Sequence, residues 1–405
     1  MPTTVIREII STQSLISHFQ PVVSIKKRAV VGLESLARGM DGPVNRFSPE
    51  QMFGWAEEAN LSEAFDDLCR VSALKAFAAL PNRTSLALFL NLDATRLSRG
   101  KFSAETIRES VDQAGLLPRD VVLEFSDLDF ERAPGLRFLI EACQSHGFCV
   151  ALDDLDCGSA CMRRVADLKP NVVKVDDHVV LGLSTDPIRR TLFQALAALA
   201  RRQGALTVAE GVENEDDAVL ALELGADLLQ GFHFGRPQAG ARLALSVSKA
   251  TVERSAMRVK AIVAGRTQVR QRENERHLQM MEKIRQALQK VEAPFFTPTL
   301  DRFVDPVASL ECLFVVDSKG VQKTPTVVWK YQRESQRSRL FVPAEAGADH
   351  SLKDYYLGLT LGTQDPFISE QYVSLATGNL CRTLASRFND ASGKEYILCM
   401  DTRSV

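Results

Sequence analysis

Short apolar runs with the length and the β-branched content of strands recur through the first part of the chain, at 18–25, 29–36, 85–92, 121–126, 149–153, 172–176, 206–212 and 228–232. Amphipathic patterns of helical period fill most of the intervals, at 61–80, 104–114, 136–146, 188–202 and 216–224. Strands that alternate with helices predict a parallel sheet, and eight of them in about 240 residues is the length of a closed α/β barrel. One connection departs from that scheme. Only Lys26, Lys27 and Arg28 separate the first two runs, too few for a crossover, so those two strands are expected to be antiparallel.

Past residue 245 the texture changes. Residues 246–292 are charged, helix-favouring and free of proline, and Pro294 ends the stretch. Leu278, Met281, Leu288 and Val291 fit an a/d seam, interrupted by Gly265 and the polar residues 266–276. The expectation is a connecting helix that also dimerises, about 60 Å long. After it, strand-like runs at 310–316, 326–331, 339–342, 367–375, 381–388 and 395–400 predict an α+β domain. The expected domains are therefore 1–245, 246–292 and 293–405.

Composition narrows the function classes. The 405 residues are 45% hydrophobic and 25% charged, which suits sizeable cores. A net charge of -2 argues against binding a nucleic-acid polymer through bulk positive charge. No apolar run reaches the roughly 18 residues of a membrane span, and residues 1–13 lack the pattern of a secretory leader. The eight cysteines form no CxxC pair and have no histidine at zinc-finger spacing. Reduced thiols in a cytoplasmic protein are expected, without membrane insertion.

The apolar runs end, or nearly end, in polar residues: Glu34, Asn91, Glu124, Asp153 with Asp154, Asp176, Glu210 and Gln230. Singly, each reads as a helix cap or a turn residue. Together, in a barrel, they converge on the carboxyl-terminal mouth, where active sites of such enzymes lie. Lys174 and Arg38 are the nearby cations and do not balance so many acids. Hard divalent ions would, because oxygen-only ligands select Mg²⁺, Mn²⁺ or Ca²⁺. A pair of such ions is a common device for cleaving phosphodiesters. The residues alone thus indicate a metal-dependent phosphate-ester hydrolase with no named substrate.

The stretch "FQPVVSIKKRAVVGLESLAR" resembles the opening of the EAL domain family of cyclic di-GMP phosphodiesterases, with Glu34-Ser35-Leu36 where the family has Glu-Ala-Leu. The resemblance continues through "NLD" at Asn91, "LEFSD" at Glu124, "LDD" at Asp153, "KVD" at Lys174, "AEGVE" at Glu210 and "QGFHFGRP" at Gln230. It implies an EAL-type TIM (β/α)8 barrel with an antiparallel first strand. It implies metal ligands at Glu34, Asn91, Glu124, Asp153 and Asp176, with Asp154 beside a second ion. Lys174 and Glu210 match residues that position or activate the attacking water. Gln20, Leu36 and Arg38 match substrate contacts, and Gln230 a residue near the reacting water. The implied reaction opens one phosphodiester of cyclic di-GMP to give linear pGpG, with two Mg²⁺ or Mn²⁺ ions and Ca²⁺ expected to inhibit.

Two departures from the family pattern bear on turnover. The loop that usually reads Phe-Gly-Thr-Gly-Tyr-Ser-Ser is here Leu155-Asp156-Cys157-Gly158-Ser159-Ala160-Cys161. Aspartate at 156 would be strained if the loop needs a positive φ there. Ser126 and Asp127 replace the threonine and glutamate that anchor this loop. The alternative function is therefore a weakly active or inactive cyclic di-GMP receptor. Cys157, Cys161, His178 and His233 are expected to be structural. The last region is similar to PAS- or Cache-type modules, as in two-domain EAL proteins. That similarity implies a homodimer with a regulatory domain whose ligand or protein partner is unknown.

Overall fold

A computed structural model of the chain describes all residues except 1, 42–44, 82, 93–102, 126–134, 157, 305–308, 329–339 and 404–405. It divides into two compact units, Met1–Val263 and Ala264–Val405.

In the first unit the strands are β1 (Leu15–Ser24), β2 (Ala29–Asp41), β3 (Asn45–Phe47), β4 (Ala87–Leu92), β5 (Val121–Phe125), β6 (Cys149–Leu155), β7 (Val172–Val175), β8 (Leu206–Ala209), β9 (Leu228–Gln230) and β10 (Gln238–Ala239). Eight of them close a ring, β1-β2-β4-β5-β6-β7-β8-β9, because β9 pairs back onto β1. The ring is parallel from β2 to β9, and β1 runs antiparallel to both neighbours. The short β1–β2 connection is the physical reason. Ile25–Arg28 turn the chain with Arg28 at φ 52° and its N–H on the Ile25 carbonyl, and no helix could fit in that length. The α/β barrel with an antiparallel first strand is as the sequence predicts.

The helices are α1 (Pro2–Thr12), α2 (Pro49–Glu58), α3 (Ser62–Ala78), α4 (Ala104–Gln113), α5 (Leu136–Ser145), α6 (Ser159–Leu168), α7 (Asp177–Val180), α8 (Pro187–Arg202), α9 (Glu215–Leu224) and α10 (Ala241–Leu288). Strand residues alternate between two apolar environments. Leu33, Leu88, Leu90, Leu123, Val150, Leu152, Val173 and Leu229 pack outward against the helices. Val22, Phe89, Val122, Ala151, Val172, Val208 and Leu228 form a separate cluster inside the ring. This is the period-2 alternation of strands buried on both faces. Gly32 belongs to the inner set for a steric reason: a Cβ there would lie 2.4 Å from the Phe89 ring.

Among the helices of this unit, α1, α2, α6 and α7 fall outside the patterns read from the sequence. Ile6 and Ile9 of α1 pack on Met52, Ala56 and Phe65 in a small cluster apart from the barrel core, so their apolar periodicity serves a local contact.

The second unit holds α11 (Phe296–Val304), β11 (Leu310–Asp317), β12 (Val327–Val328), α12 (Asp354–Leu361), β13 (Phe367–Ile368), β14 (Tyr372–Val373), β15 (Leu380–Asn389) and β16 (Glu395–Arg403). Its sheet runs β12-β11-β16-β15-β13, with β14 also on β15. The expected strand over 339–342 is absent at 340–342, and 367–375 is two dipeptide strands rather than one. Residues 369–371, between the two, belong to no strand. One sheet face packs on the helix end that carries Met281, Ile284 and Leu288, together with Phe296 and Leu300. The a/d residues Met281 and Leu288 are thus buried in the chain's own core. Gly265 does not interrupt α10. Among the described residues no helix is long and apolar enough to cross a membrane.

Candidate active site

The inner apolar cluster fixes where the polar residues go. Two residues beyond each member along the parallel strands, on the same inward face, stands a candidate: Gly32 to Glu34, Phe89 to Asn91, Val122 to Glu124, Ala151 to Asp153, Val172 to Lys174, Val208 to Glu210 and Leu228 to Gln230. On antiparallel β1 the step is reversed, from Val22 to Gln20, which lies opposite Glu34. A side-chain period of 2 therefore lays one polar layer directly over one apolar layer.

At the centre of that layer is Lys174, fully buried. Its Nζ lies 2.8 Å from Glu124 Oε1, 2.8 Å from Glu210 Oε1, 3.1 Å from Asp153 Oδ1 and 3.5 Å from Glu34 Oε2. Burial alone would push this amine toward neutrality, but Glu124, Glu210, Glu34 and Asp153 overcome it and hold the ammonium charged well above its usual range. Burial drives the Glu124 and Glu210 carboxyls well above theirs, against the pull of Lys174.

Around this centre amide groups orient the carboxylates. Asn91 Nδ2 donates to Glu34 Oε1 at 2.9 Å, and Gln230 Nε2 donates to Glu34 Oε2 and, at 3.3 Å, to Gln20 Oε1. Gln20 Nε2 in turn donates to the Gly235 carbonyl at 3.2 Å, a contact that the sequence did not single out. Leu36 and Arg38 follow Glu34 on β2 at period 2 and share its face; Arg38 Nη1 donates to the Ala37 carbonyl at 2.8 Å.

The neighbouring aspartates 153 and 154 should point to opposite faces of a regular strand. They do not, because the β6–β7 register shifts between Leu152 and Leu155 and Asp154 takes a left-handed φ of 56°. The bulge brings Asp153, Asp154 and Glu210 to offer oxygens within 4.8 Å of one another. Burial and the adjacent Asp153 raise the Asp154 carboxyl to about 6. The backbone strain anticipated at Asp156 therefore falls two residues earlier. Asp156 instead accepts the Gly158 N–H at 2.9 Å, just before α6.

A second group, Glu34, Glu124 and Asp153, is buried, with its oxygens within the same 4.8 Å. Glu124 Oε2 is buried without a hydrogen-bond partner among the described residues. Buried carboxylate oxygens, one of them orphaned, and no nitrogen or sulfur donor suit a hard divalent cation. Asp176 stands outside both groups: it caps α7, accepting the His178 N–H at 2.7 Å. His178 points to solvent, and His233 Nε2 lies 3.2 Å from Ser255 Oγ on α10. Cys161 is buried in the barrel core. Ser126, Asp127 and Cys157 lie outside the described residues.

The EAL domain family matches residues 4–237, more than half of the chain. The chain belongs to the EAL domain family. Among curated relatives, the probable cyclic di-GMP phosphodiesterase PdeA of Escherichia coli is 26% identical over 235 residues, which cover 58% of this chain and 32% of PdeA. The chain spans about a third of the length of the first curated relatives it matches. The Bacillus subtilis YkuI protein, solved with cyclic di-GMP and calcium, superposes over 98% of this chain and 99% of its own with a TM-score of 0.76. At 21% identity that is a likeness of fold. Klebsiella pneumoniae BlrP1, solved with manganese and cyclic di-GMP, is 26% identical, covering 56% of each chain with a TM-score of 0.51. Divalent ions thus accompany cyclic di-GMP in EAL domains of known structure.

Proposed function

We propose that this EAL domain binds cyclic di-GMP at the barrel mouth and hydrolyses one of its phosphodiesters to linear pGpG, using two Mg²⁺ or Mn²⁺ ions. The observation that carries the reading is the buried layer of carboxylates gathered round Lys174. Glu34, Asn91, Glu124 and Asp153 hold one ion in this reading, with Asp154 and Asp176 on the side of the second. When bound, such ions act as Lewis acids toward the phosphodiester. Lys174 orients the carboxylates and keeps a fixed positive charge beneath the reacting phosphate. Glu210, largely buried and 2.8 Å from Lys174, is the group that takes a proton from the attacking water. Arg38 grips a phosphate oxygen with its guanidinium, Leu36 and Gln20 line the nucleotide, and Gln230 fixes Glu34.

The C-terminal region, 293–405, serves in this proposal as a PAS- or Cache-like regulatory module, joined by the connecting helix 246–292 to the barrel 1–245. The protein acts in the cytoplasm as a homodimer. Exposed Met257, Val263 and Val269 on α10 leave apolar surface for self-association.

The replaced residues of loop 155–161 favour a second reading, a receptor that binds the dinucleotide without cleaving it. One assay separates the two. The protein is incubated with cyclic di-GMP and Mn²⁺, and bound nucleotide and pGpG are followed together. Release of pGpG is expected; binding without product establishes the receptor, and absence of binding overturns both.

A further inference from the structure

The second unit contains a cavity of about 320 Å³ lined by Cys312, Phe314, His350, Tyr355, Tyr372 and Asp401, among others. That volume is at the small end of ligand pockets. Its floor is one face of the sheet. Cys312, Asp401 and Thr383 are direct cross-strand neighbours there, on β11, β16 and β15.

Asp401 is an unusual floor residue. It is 3% exposed, and among the described residues its hydrogen-bond partners are neutral groups. Thr383 Oγ1 donates to Oδ1 at 2.7 Å, Cys312 Sγ to Oδ2 at 3.2 Å, and Tyr372 OH lies 3.3 Å from both oxygens. Cys381 Sγ is 3.9 Å from Oδ2. No cation pairs with it among the described residues. The contrast with Glu311 on the same sheet is direct, since that buried carboxylate is paired with Arg403. The fold does not require an acid at 401, because Ile397 and Cys399 fill the same face of β16 without one. A buried carboxylate without a counter-charge is costly, and this one borders open space.

The rest of the lining is aromatic and nearly neutral. Phe314 lies 6.0 Å from Tyr355 and 5.1 Å from His350, centroid to centroid. Burial holds His350 below its usual range, and its Nδ1 is hydrogen-bonded with the Tyr355 hydroxyl. The other charged lining residues, exposed Asp349 and half-exposed Lys353, offset each other on one loop. Aromatic faces beside a desolvated carboxylate form an environment for a small organic cation.

We propose that this cavity binds a small molecule bearing a protonated amine, its ammonium against Asp401 and its apolar part among Phe314, Tyr355 and Tyr372. The proposal does not depend on hydrolysis at the barrel, and its test reads binding alone. The full chain is titrated calorimetrically with ethylamine, propylamine and 2-phenylethylamine, and with the neutral 2-phenylethanol. At least one amine is expected to bind at millimolar or lower concentration, and 2-phenylethanol at least about tenfold more weakly than 2-phenylethylamine. Asp401→Asn should weaken the amine by about tenfold or more, since an uncharged amide replaces the counter-ion. Because that change touches the sheet, Val342→Trp, at an exposed rim position of the cavity, is made alongside it. It should also weaken the amine while leaving the tyrosine near-ultraviolet dichroism intact. The proposal is overturned if no amine binds, if 2-phenylethanol binds as well as 2-phenylethylamine, or if both variants keep that signal and bind as the parent does.

Discussion

Lys174 shows what a single residue does here. Four carboxylates lie within 3.5 Å of one fully buried ammonium. Lys174→Met keeps much of the side-chain volume and removes the charge, leaving carboxylates buried without a counter-ion. Breaking a buried ion pair costs about 3–5 kcal/mol, and urea unfolding without divalent ions should show a loss of that order. Mn²⁺ should recover part of it, because an ion that binds only the folded form stabilises it by mass action. At Glu34, which bonds to both Asn91 and Gln230, substitution by alanine should abolish pGpG formation; retained activity would show the site to be misassigned. These acids were legible in the sequence as polar ends to apolar runs. Their convergence on Lys174 was not, since the sequence pattern gives Lys174 no rank above Arg38, whose guanidinium bonds instead to the neighbouring Ala37 carbonyl.

At the scale of elements, alternation decides most of the site and its failure decides the rest. Strand period alone puts Glu34, Glu124, Lys174 and Gln230 in one layer. Asp154 joins them only because a bulge and a left-handed residue turn β6 between Leu152 and Leu155. Adjacent aspartates in a sequence do not announce a bulge, which costs local strain that the surrounding strands must hold. Gly32 tests the apolar layer beneath: Gly32→Val drives a side chain into the Phe89 ring and should lower stability by about 1–3 kcal/mol, read as a fall in Tm. In α10 the prediction has the opposite sign. Nothing lies within 4 Å of a Cβ added at Gly265, in a helix of 48 residues. Gly265→Ala should therefore stabilise the protein by about 0.5–1 kcal/mol, measured by urea denaturation.

For the whole molecule, the division into two units gives each its own spectroscopic and titration behaviour. All five tyrosines lie after residue 330, so tyrosine near-ultraviolet dichroism reports the second unit alone. Burial holds His350 below its ordinary value of 6.5, and the unfolded chain therefore binds the proton that the folded one refuses. Stability of this unit is complete above pH 6.5 and declines as the pH falls through that value toward the folded-state pKa. His350→Gln should remove that share of the decline, seen by comparing urea midpoints at roughly pH 7.5 and 5.5.

The sequence by itself determined the barrel, its antiparallel entry and the acids at the strand ends, because strand length, turn length and period 2 are local properties. Only the tertiary structure decided which carboxylates share Lys174, how Asp154 turns to join them, and that Met281 and Leu288 belong to the chain's own core. Each of those depends on atoms far apart in sequence competing for the same small volume, which no local pattern records.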